Sequence, residues 1–455
     1  MDNTNAPLKE FDFVVIGSGE AGSSPAFKCR EAGWSVAVVD REPFGGTCAL
    51  RGCDPKKVLV GAADVADWHR RMIDHGVAGD TRIDWPRLMR FKESFTAPVS
   101  PRREARFRDV GISTFHGQAA FEERDLLVVN GDRLRAKHIV LAVGARPRSL
   151  RVPGEEHLVT STQFLSLESL PRRIVLVGAG YIAFEFAHIA ARAGADVTLV
   201  GRTALAQFDA DLVGKLMEHT KSLGVTVELG AEVTGVEEVS GAGVRIHCTR
   251  DDATFSIDAD VAVHTAGRVP DVDGLRLERG GVKLDAHRAI EVDDYLRSVS
   301  NPLVYAAGDA VRPAGKLPLT PVAAHEGAIV ASNLLRGPTK RPDYRGTPSV
   351  VFTIPPLASV GLTERAARND RLEITVKSED TSAWYTNRRT RTPVGAFKTI
   401  VGENGRLVGA HLLGDRADET INLLALAIRL ELPLAELRHA IYAYPSSGSD
   451  LPFMI

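Results

Sequence analysis

No apolar run in the chain approaches the ~20 residues that a membrane-spanning helix needs. Cysteine is scarce, with four in 455 residues, which is too few for a disulfide framework. Neither sign of charge is in excess. Lysine and arginine number 56 against 58 acids, so a general basic surface for nucleic acid is excluded. Strong compositional bias is also missing: 44% hydrophobic and 25% charged residues describe a globular chain, neither disordered nor fibrous. The first ten residues are polar with no apolar signal core. Export is therefore not expected, and a cytoplasmic location is. The length allows two to four domains.

The few cysteines are unevenly placed. Cys29 and Cys248 stand alone and read as small buried apolar residues. Cys48 and Cys53 lie together in GGTCALRGCDPKK, residues 45–57. One close pair in an intracellular chain reads as redox-active or metal-binding. Further metal ligands are not assembled locally, so zinc is the poorer reading. A reactive thiolate needs a lowered pKa, which a helix N-terminus and cations such as Lys56 can provide. C-x4-C alone fits a static disulfide equally well. The flanking glycines and Pro55-Lys56-Lys57 favour a working dithiol/disulfide.

Upstream of this pair, the apolar run 11–16 enters GSGEAG, residues 17–22, followed by a helical segment and a second apolar run ending in Asp40. This is a dinucleotide-binding βαβ pattern. Gly17 serves the tight turn, Gly19 the approach of a pyrophosphate and Gly22 the packing of helix on strand. Phosphates meet the helix N-terminus. Asp40 falls about 20 residues on, where an acid accepts from an adenosine ribose. Pro25 is expected within the first turn of the helix, where its missing N–H costs little.

A second βαβ pattern starts at Arg173. Its turn holds Gly178, Gly180 and Ala183, with a helix expected over 184–193. The strand after it ends in Gly201-Arg202, with no acid. An arginine there can hold a ribose 2′-phosphate, which favours NADPH over NADH. Two nucleotide units, one with an acid and one with an arginine, point to a flavoprotein that takes hydride from a nicotinamide. The nucleotides are then FAD and NADPH.

Residues 58–104 read as charged, solvated helices, and 110–139 as strands and turns. Pro147 and Pro153 mark a linker. The strand and turn at 304–310 place Asp309 toward the ribityl chain of the first nucleotide. His325 lies on an apolar helix and reads as a packed histidine rather than a catalyst. From Arg341 the pattern becomes a separate α+β domain, with strands at 349–353, 394–401 and 407–413 and a helix through 425–434.

Together, GSGEAG, GGTCALRGCDPKK, GAGYIAFE, AGRVP, YAAGDA, LTPVAAHEGA and VVFTIPPLASVGLTE resemble the class I flavoprotein disulfide reductases. That family includes glutathione reductase, dihydrolipoamide dehydrogenase and mercuric reductase. The resemblance covers nearly the whole chain. It implies an α/β fold with two Rossmann-like domains and a C-terminal α+β dimerisation domain. The expected boundaries are 1–151 for FAD and the redox disulfide, 152–270 for NADPH, 271–342 completing the FAD site, and 343–455 for a homodimer interface. It also implies that Cys53 faces the flavin and that Cys48 is the interchange thiol toward solvent. Lys56 would pair with Glu185 beside the flavin, and Tyr181 would cover the ring until nicotinamide displaces it. Gly46, Thr47, Lys57, Gly144, Gly267 and Thr320 join the expected cofactor contacts.

The chain departs from this pattern at its C-terminus. Members that reduce organic disulfides carry His-Pro there and a following glutamate. The histidine, donated by the partner subunit, shuttles the proton at the interchange thiol. Here Tyr444 precedes Pro445, Tyr442 replaces an earlier histidine and Ser449 takes the glutamate place, with Asp450 one residue late. Tyrosine titrates near 10 and is a poor base at pH 7. Losing such a group costs roughly 10²–10⁴ in rate. Mercuric reductase is similar in having a tyrosine in this region, yet it ends in a vicinal cysteine pair that this chain lacks. The expected acceptor is therefore a small oxidant needing little proton delivery. It would be a reactive electrophile, an activated thiol derivative or a thiophilic metal ion. The alternatives are a low-molecular-weight disulfide reductase, direct reduction of quinones or metals by the flavin, and a redox-sensing binding protein.

Overall fold

The computed structural model describes residues 7–241 and 243–455. Part of the polar start, residues 1–6, lies outside the described residues. The chain divides into two compact units.

The first unit holds the chain up to Pro55, Glu93–Arg148 and Arg268–Tyr344. Its seven-stranded sheet runs in the order Ser113–His116, Val36–Asp40, Leu8–Ile16, Asp132–Leu141, Leu126–Val129 and Ala119–Phe121, with Val304–Ala306 also paired to Asp132–Leu141. Leu8–Ile16 is parallel to both of its neighbours. Phe13, Val14, Val15 and Ile16 are all buried, so the strand is covered on both faces and reads as a continuous apolar run rather than an alternation.

The helix Glu20–Glu31 packs against Thr320–Arg336. Pro25 does not fall in its first turn, because the helix already begins at Glu20 inside the glycine motif. Proline at that position takes away the N–H that would bond the Ala21 carbonyl. That carbonyl faces Gly327 instead, where a Cβ would lie only 2.6 Å from Ala21 O. The helix pair thus closes tightly over the interruption.

The second unit holds Lys56–Lys92, Ser149–Gly267 and Arg345–Ile455. A five-stranded sheet runs Thr226–Leu229, Asp196–Gly201, Arg173–Val177, Val261–His264 and Val159–Thr160, with every pair parallel. The strands Glu232–Val239, Gly243–Arg250 and Ala253–Ala259 form a separate antiparallel sheet. The helix after the second glycine turn starts at Tyr181 rather than at Phe184, because Gly180 already caps it.

A five-stranded antiparallel sheet completes this unit in the order Pro348–Val351, Leu357–Gly361, Leu407–Leu413, Ala396–Gly402 and Ile374–Asp380. The helix Ala417–Arg429 covers it with the buried face Ile421, Leu424 and Ala425. Where one helix was expected through 425–434, there are two, and the second runs Leu434–His439. Leu432 N–H bonds Ala427 O and Pro433 follows, so the first helix cannot continue.

Candidate functional site: glycine turns and a cysteine pair

In the first unit, strand, turn and helix meet at backbone distance. Gly17 has φ +105°, and a Cβ there would lie 2.2 Å from Ala142 O. A Cβ on Gly22 would lie 2.0 Å from Gly17 O. Any side chain at either position would push the elements apart. Gly19 is different: its nearest neighbour is Gly46 Cα, 3.6 Å from where a Cβ would be. Gly46 returns the contact, since its own Cβ would fall 2.6 Å from Gly19 Cα. Two bare backbones therefore border the start of the helix Glu20–Glu31, whose N–H groups and positive dipole end suit a diphosphate.

Asp40 closes this turn. Its Oδ2 accepts from Ser18 N at 2.8 Å and from Ser18 Oγ at 2.6 Å. Ser18 Oγ in turn accepts from Gly45 N at 2.9 Å, tying the glycine turn to the cysteine segment. Sequence reasoning missed Ser18. A hydroxyl between the first two glycines, with an acid waiting at the second strand's end, was the available signal. These residues fit a bound dinucleotide. Gly144 turns the chain beyond the strand Asp132–Leu141, and Thr47 lies in the short helix Gly46–Arg51.

Asp309 is half-buried in the turn Gly308–Ala310. This turn is fastened from behind by a buried cluster. Glu326 Oε2 accepts from Gly308 N at 2.7 Å and from Lys316 Nζ at 2.9 Å. Lys316 Nζ also donates to the carbonyls of Gly308 and Val311. Tyr344 OH donates to Glu326 Oε1 at 2.7 Å, and burial with the adjacent Glu326 holds the phenol's pKa high. Nothing in the sequence pattern marks this cluster, because its members meet only through the fold. His325 is half-buried and accepts from Asp343 N at 3.3 Å.

The sulfur pair sits where two helices meet. Cys48 is in Gly46–Arg51 and Cys53 opens Cys53–Met72. Both carry thiols rather than a joined disulfide. Cys53 is exposed and Cys48 half-buried, and the chain turns between them at Gly52. A Cβ there would lie 2.8 Å from Thr47 O and 3.3 Å from Cys48 Cα, so the chain folds back over Cys48. Cys53 Sγ lies 3.5 Å from Thr320 Oγ1, and Cys48 Sγ donates to Asp54 Oδ1 at 3.8 Å.

The Cys48 thiol is pushed well above its usual range, first by its hydrogen bond with Cys53 and then by burial. This is the opposite of a general activation, and it is what two adjacent thiols do: one sulfur ionises at the expense of the other. Cys29 and Cys248 are fully buried, with burial pushing them up to about 12 and about 11.

In the second unit, a Cβ on Gly178 would lie 2.6 Å from Ala266 Cα, while one on Gly180 would meet only Thr265 O at 3.9 Å. Ala183 is fully buried, which suits the packing role of a small residue. Arg202 is exposed just beyond the strand Asp196–Gly201, and Gly267 turns the chain after Val261–His264. This arrangement also fits a dinucleotide, with an arginine free to reach a 2′-phosphate.

Tyr181 opens the helix Tyr181–Arg192, and Lys56 Nζ stands 5.3 Å from its ring centre. Lys56 pairs with Glu185, and Glu185 Oε1 accepts from Phe352 N at 2.9 Å. The same helix face carries His188 and Arg192, which sequence reasoning did not single out. His188 Nδ1 accepts from Ile354 N at 3.0 Å, and Arg192 Nη2 donates to Ile354 O at 2.9 Å. Arg192 also pairs with Asp67 at 2.8 Å. Their spacing of three and seven residues after Glu185 was the readable signal.

Lys57 was expected among the cofactor contacts. Its ammonium lies 3.6 Å from the Phe352 ring centre and 3.6 Å from Asp418 Oδ2. Tyr444 is 81% exposed. Tyr442 OH donates to Leu437 O at 2.8 Å, and Asp450 accepts from Thr386 Oγ1. Burial raises the pKa of both Tyr442 and Asp450.

Residues 11–327 match the pyridine nucleotide-disulphide oxidoreductase family, and residues 347–452 match its dimerisation domain. The chain belongs to this family of flavoprotein disulfide reductases. It is an oxidoreductase whose cofactors are FAD and NADPH. It is 33% identical over 453 residues to a glutathione reductase from Burkholderia cepacia, covering 97% of each chain. It is 30% identical over 456 residues to a mercuric reductase from Staphylococcus aureus, covering 97% of this chain and 81% of that protein. The HOCl-induced flavoprotein disulfide reductase RclA from Escherichia coli, solved as a Cu(II) complex, superposes with a TM-score of 0.87 at 27% identity, over 98% of this chain and 99% of that one. Among the described residues no helix is long and apolar enough to cross a membrane.

Proposed function

We propose that this enzyme carries electrons from NADPH to a Cys48–Cys53 disulfide and on to a small oxidant that needs little proton delivery. The acceptor is a reactive electrophile, an activated thiol derivative or a thiophilic metal ion. The observation that carries this choice is the state of the C-terminal polar groups. Tyr442 and Asp450 are each engaged by a neighbour within their own unit, and burial makes the Tyr442 phenol a still weaker base. Tyr444 is exposed and carries a phenol in place of an imidazole. None matches the task of an imidazole at pH 7. The mercuric reductase relative and the Cu(II) complex of RclA support a metal ion as one acceptor.

Bound FAD supplies a two-electron relay between nicotinamide and sulfur. The chain's own residues bind and orient. Gly17, Gly19, Gly22, Gly46 and Thr47 take the FAD diphosphate, Asp40 its adenosine ribose and Asp309 its ribityl chain. Gly144, Gly267 and Thr320 complete the cofactor contacts, and Lys57 steadies the segment at Phe352. Gly178, Gly180 and Ala183 receive NADPH, with Arg202 on its 2′-phosphate. Tyr181 excludes water from the hydride route until nicotinamide arrives, and Lys56 with Glu185 fixes that route. Two electrons open the disulfide. Cys53 retains the inner thiol, and Cys48 attacks the oxidant. The domain roles follow the boundaries 1–151, 152–270, 271–342 and 343–455, and the last segment joins two copies into a cytoplasmic homodimer.

The test is anaerobic NADPH consumption with a panel of acceptors: glutathione disulfide, an activated thiol derivative, a quinone, Cu(II) and Hg(II). Turnover with the small oxidants that disappears in Cys48→Ser and Cys53→Ser is the expected result. Family-like rates with glutathione disulfide would overturn the acceptor class. Activity that survives both serine variants would favour direct reduction by the flavin.

A further inference from the structure

Asp54 follows Cys53 directly and lies in the first turn of the helix Cys53–Met72. Its carboxylate is exposed, with Oδ1 3.8 Å from Cys48 Sγ. An acidic residue in this position lies at the positive end of the helix dipole. Among the described residues no ion pair neutralises it. The nearby Arg51 reaches Glu42 at 3.9 Å, Lys56 pairs with Glu185, and Lys57 lies 3.6 Å from Asp418. An exposed carboxylate therefore stands beside the sulfur read above as facing the oxidant.

We propose that Asp54 sets the charge selectivity of the cysteine pair, disfavouring anionic oxidants and favouring neutral or cationic ones. This rests on the reading of Cys48 as the substrate-facing thiol. In a disulfide acceptor, the Cys48 thiolate forms a new S–S bond as the substrate's own S–S bond breaks, and the departing sulfur leaves with the electron pair. A substrate carboxylate near that sulfur is brought to within about 6 Å of Asp54. At that separation a like charge slows attack by about threefold at the dielectric of water, and by more where water is excluded. A cation gains by the same factor. Asp54 is thus a specificity-determining residue that acts through its field, without exchanging a proton with the substrate. A merely structural role, as a favourable acid in the helix's first turn, would leave the reagent preference of Cys48 unchanged.

Alkylation reads this without any acceptor. The FAD-loaded enzyme is reduced with dithiothreitol, the excess is removed anaerobically, and Cys48 is allowed to react with iodoacetamide or iodoacetate. In both cases the thiolate forms an S–C bond and iodide leaves. Peptide mapping gives the rate at Cys48 itself. In the unaltered protein, salt should accelerate iodoacetate and leave iodoacetamide nearly unchanged. Asp54→Asn should raise the iodoacetate rate relative to iodoacetamide by about three- to tenfold and weaken the salt effect to that of the thiolate charge alone, while Asp54→Glu should retain it in full. No salt effect in the unaltered protein, or the same reagent ratio with and without the carboxylate, would overturn the proposal. Neither readout needs NADPH or turnover, so this outcome is separate from that of the acceptor panel.

Discussion

Lys56 and Glu185 form an ion pair almost closed to water, with side chains 11% and 1% exposed. Glu185 also accepts the Phe352 N–H through its other oxygen. Removing one partner from such a pair leaves a buried charge, at a cost of about 3–5 kcal/mol. Glu185→Gln keeps an acceptor for Phe352 but strands the lysine. We expect Glu185→Gln and Lys56→Met each to lower the denaturation midpoint strongly, and the double variant to recover much of the loss. Chemical denaturation of the FAD-loaded protein measures this, and additive losses would refute the coupling.

The buried pair Lys316–Glu326 makes a parallel case in the other unit. Its side chains are 4% and 0% exposed, and it holds the turn that carries Asp309 through Gly308 N, Gly308 O and Val311 O. Lys316→Met should loosen that turn and weaken FAD retention by about tenfold or more, because it removes three donated hydrogen bonds and strands a carboxylate. The temperature at which flavin fluorescence is released reads this directly. Lys316→Arg should fall between, and unchanged release in Lys316→Met would remove the turn from the flavin site.

Stability should fall on mild acidification. Burial holds His188 well below the ordinary histidine range and lowers His219 as well. Unfolded, both titrate near 6.5. Between the folded and unfolded values the unfolded chain binds more protons, so stability is complete above about 6.5 and declines below it. The raised carboxylates Asp64 and Asp450 act in the opposite sense, taking up protons first in the folded chain. His188→Gln should flatten the dependence of melting temperature on pH between 5 and 7. An unaltered slope would show that His188 is not its source.

The parts of this protein that were readable in sequence are those whose cause is local. Gly17, Gly22 and Gly178 are needed by contacts that no side chain permits, and these fall at fixed spacings along the chain. The strand Leu8–Ile16 announces itself because both of its faces are covered. The strand Ile374–Asp380 did not. It lies at a sheet edge, mostly exposed, and its charges resemble those of a loop. The Lys316–Glu326 cluster and the Asp67–Arg192 pair were also invisible, because each partner is chosen by tertiary packing. Pro25 was misplaced for a related reason: the packing of Gly327 over Ala21 tolerates it, and that contact is more than 300 residues away in sequence.

Cys29 and Cys248 are sealed in separate cores, at 0% and 1% exposure. A thiol reagent added to the native protein therefore counts the working sulfurs against a silent background. Each chain becomes its own electron meter: the number of rapidly titrating thiols before and after NADPH gives the occupancy of the reduced pair, with no need to engineer other cysteines away.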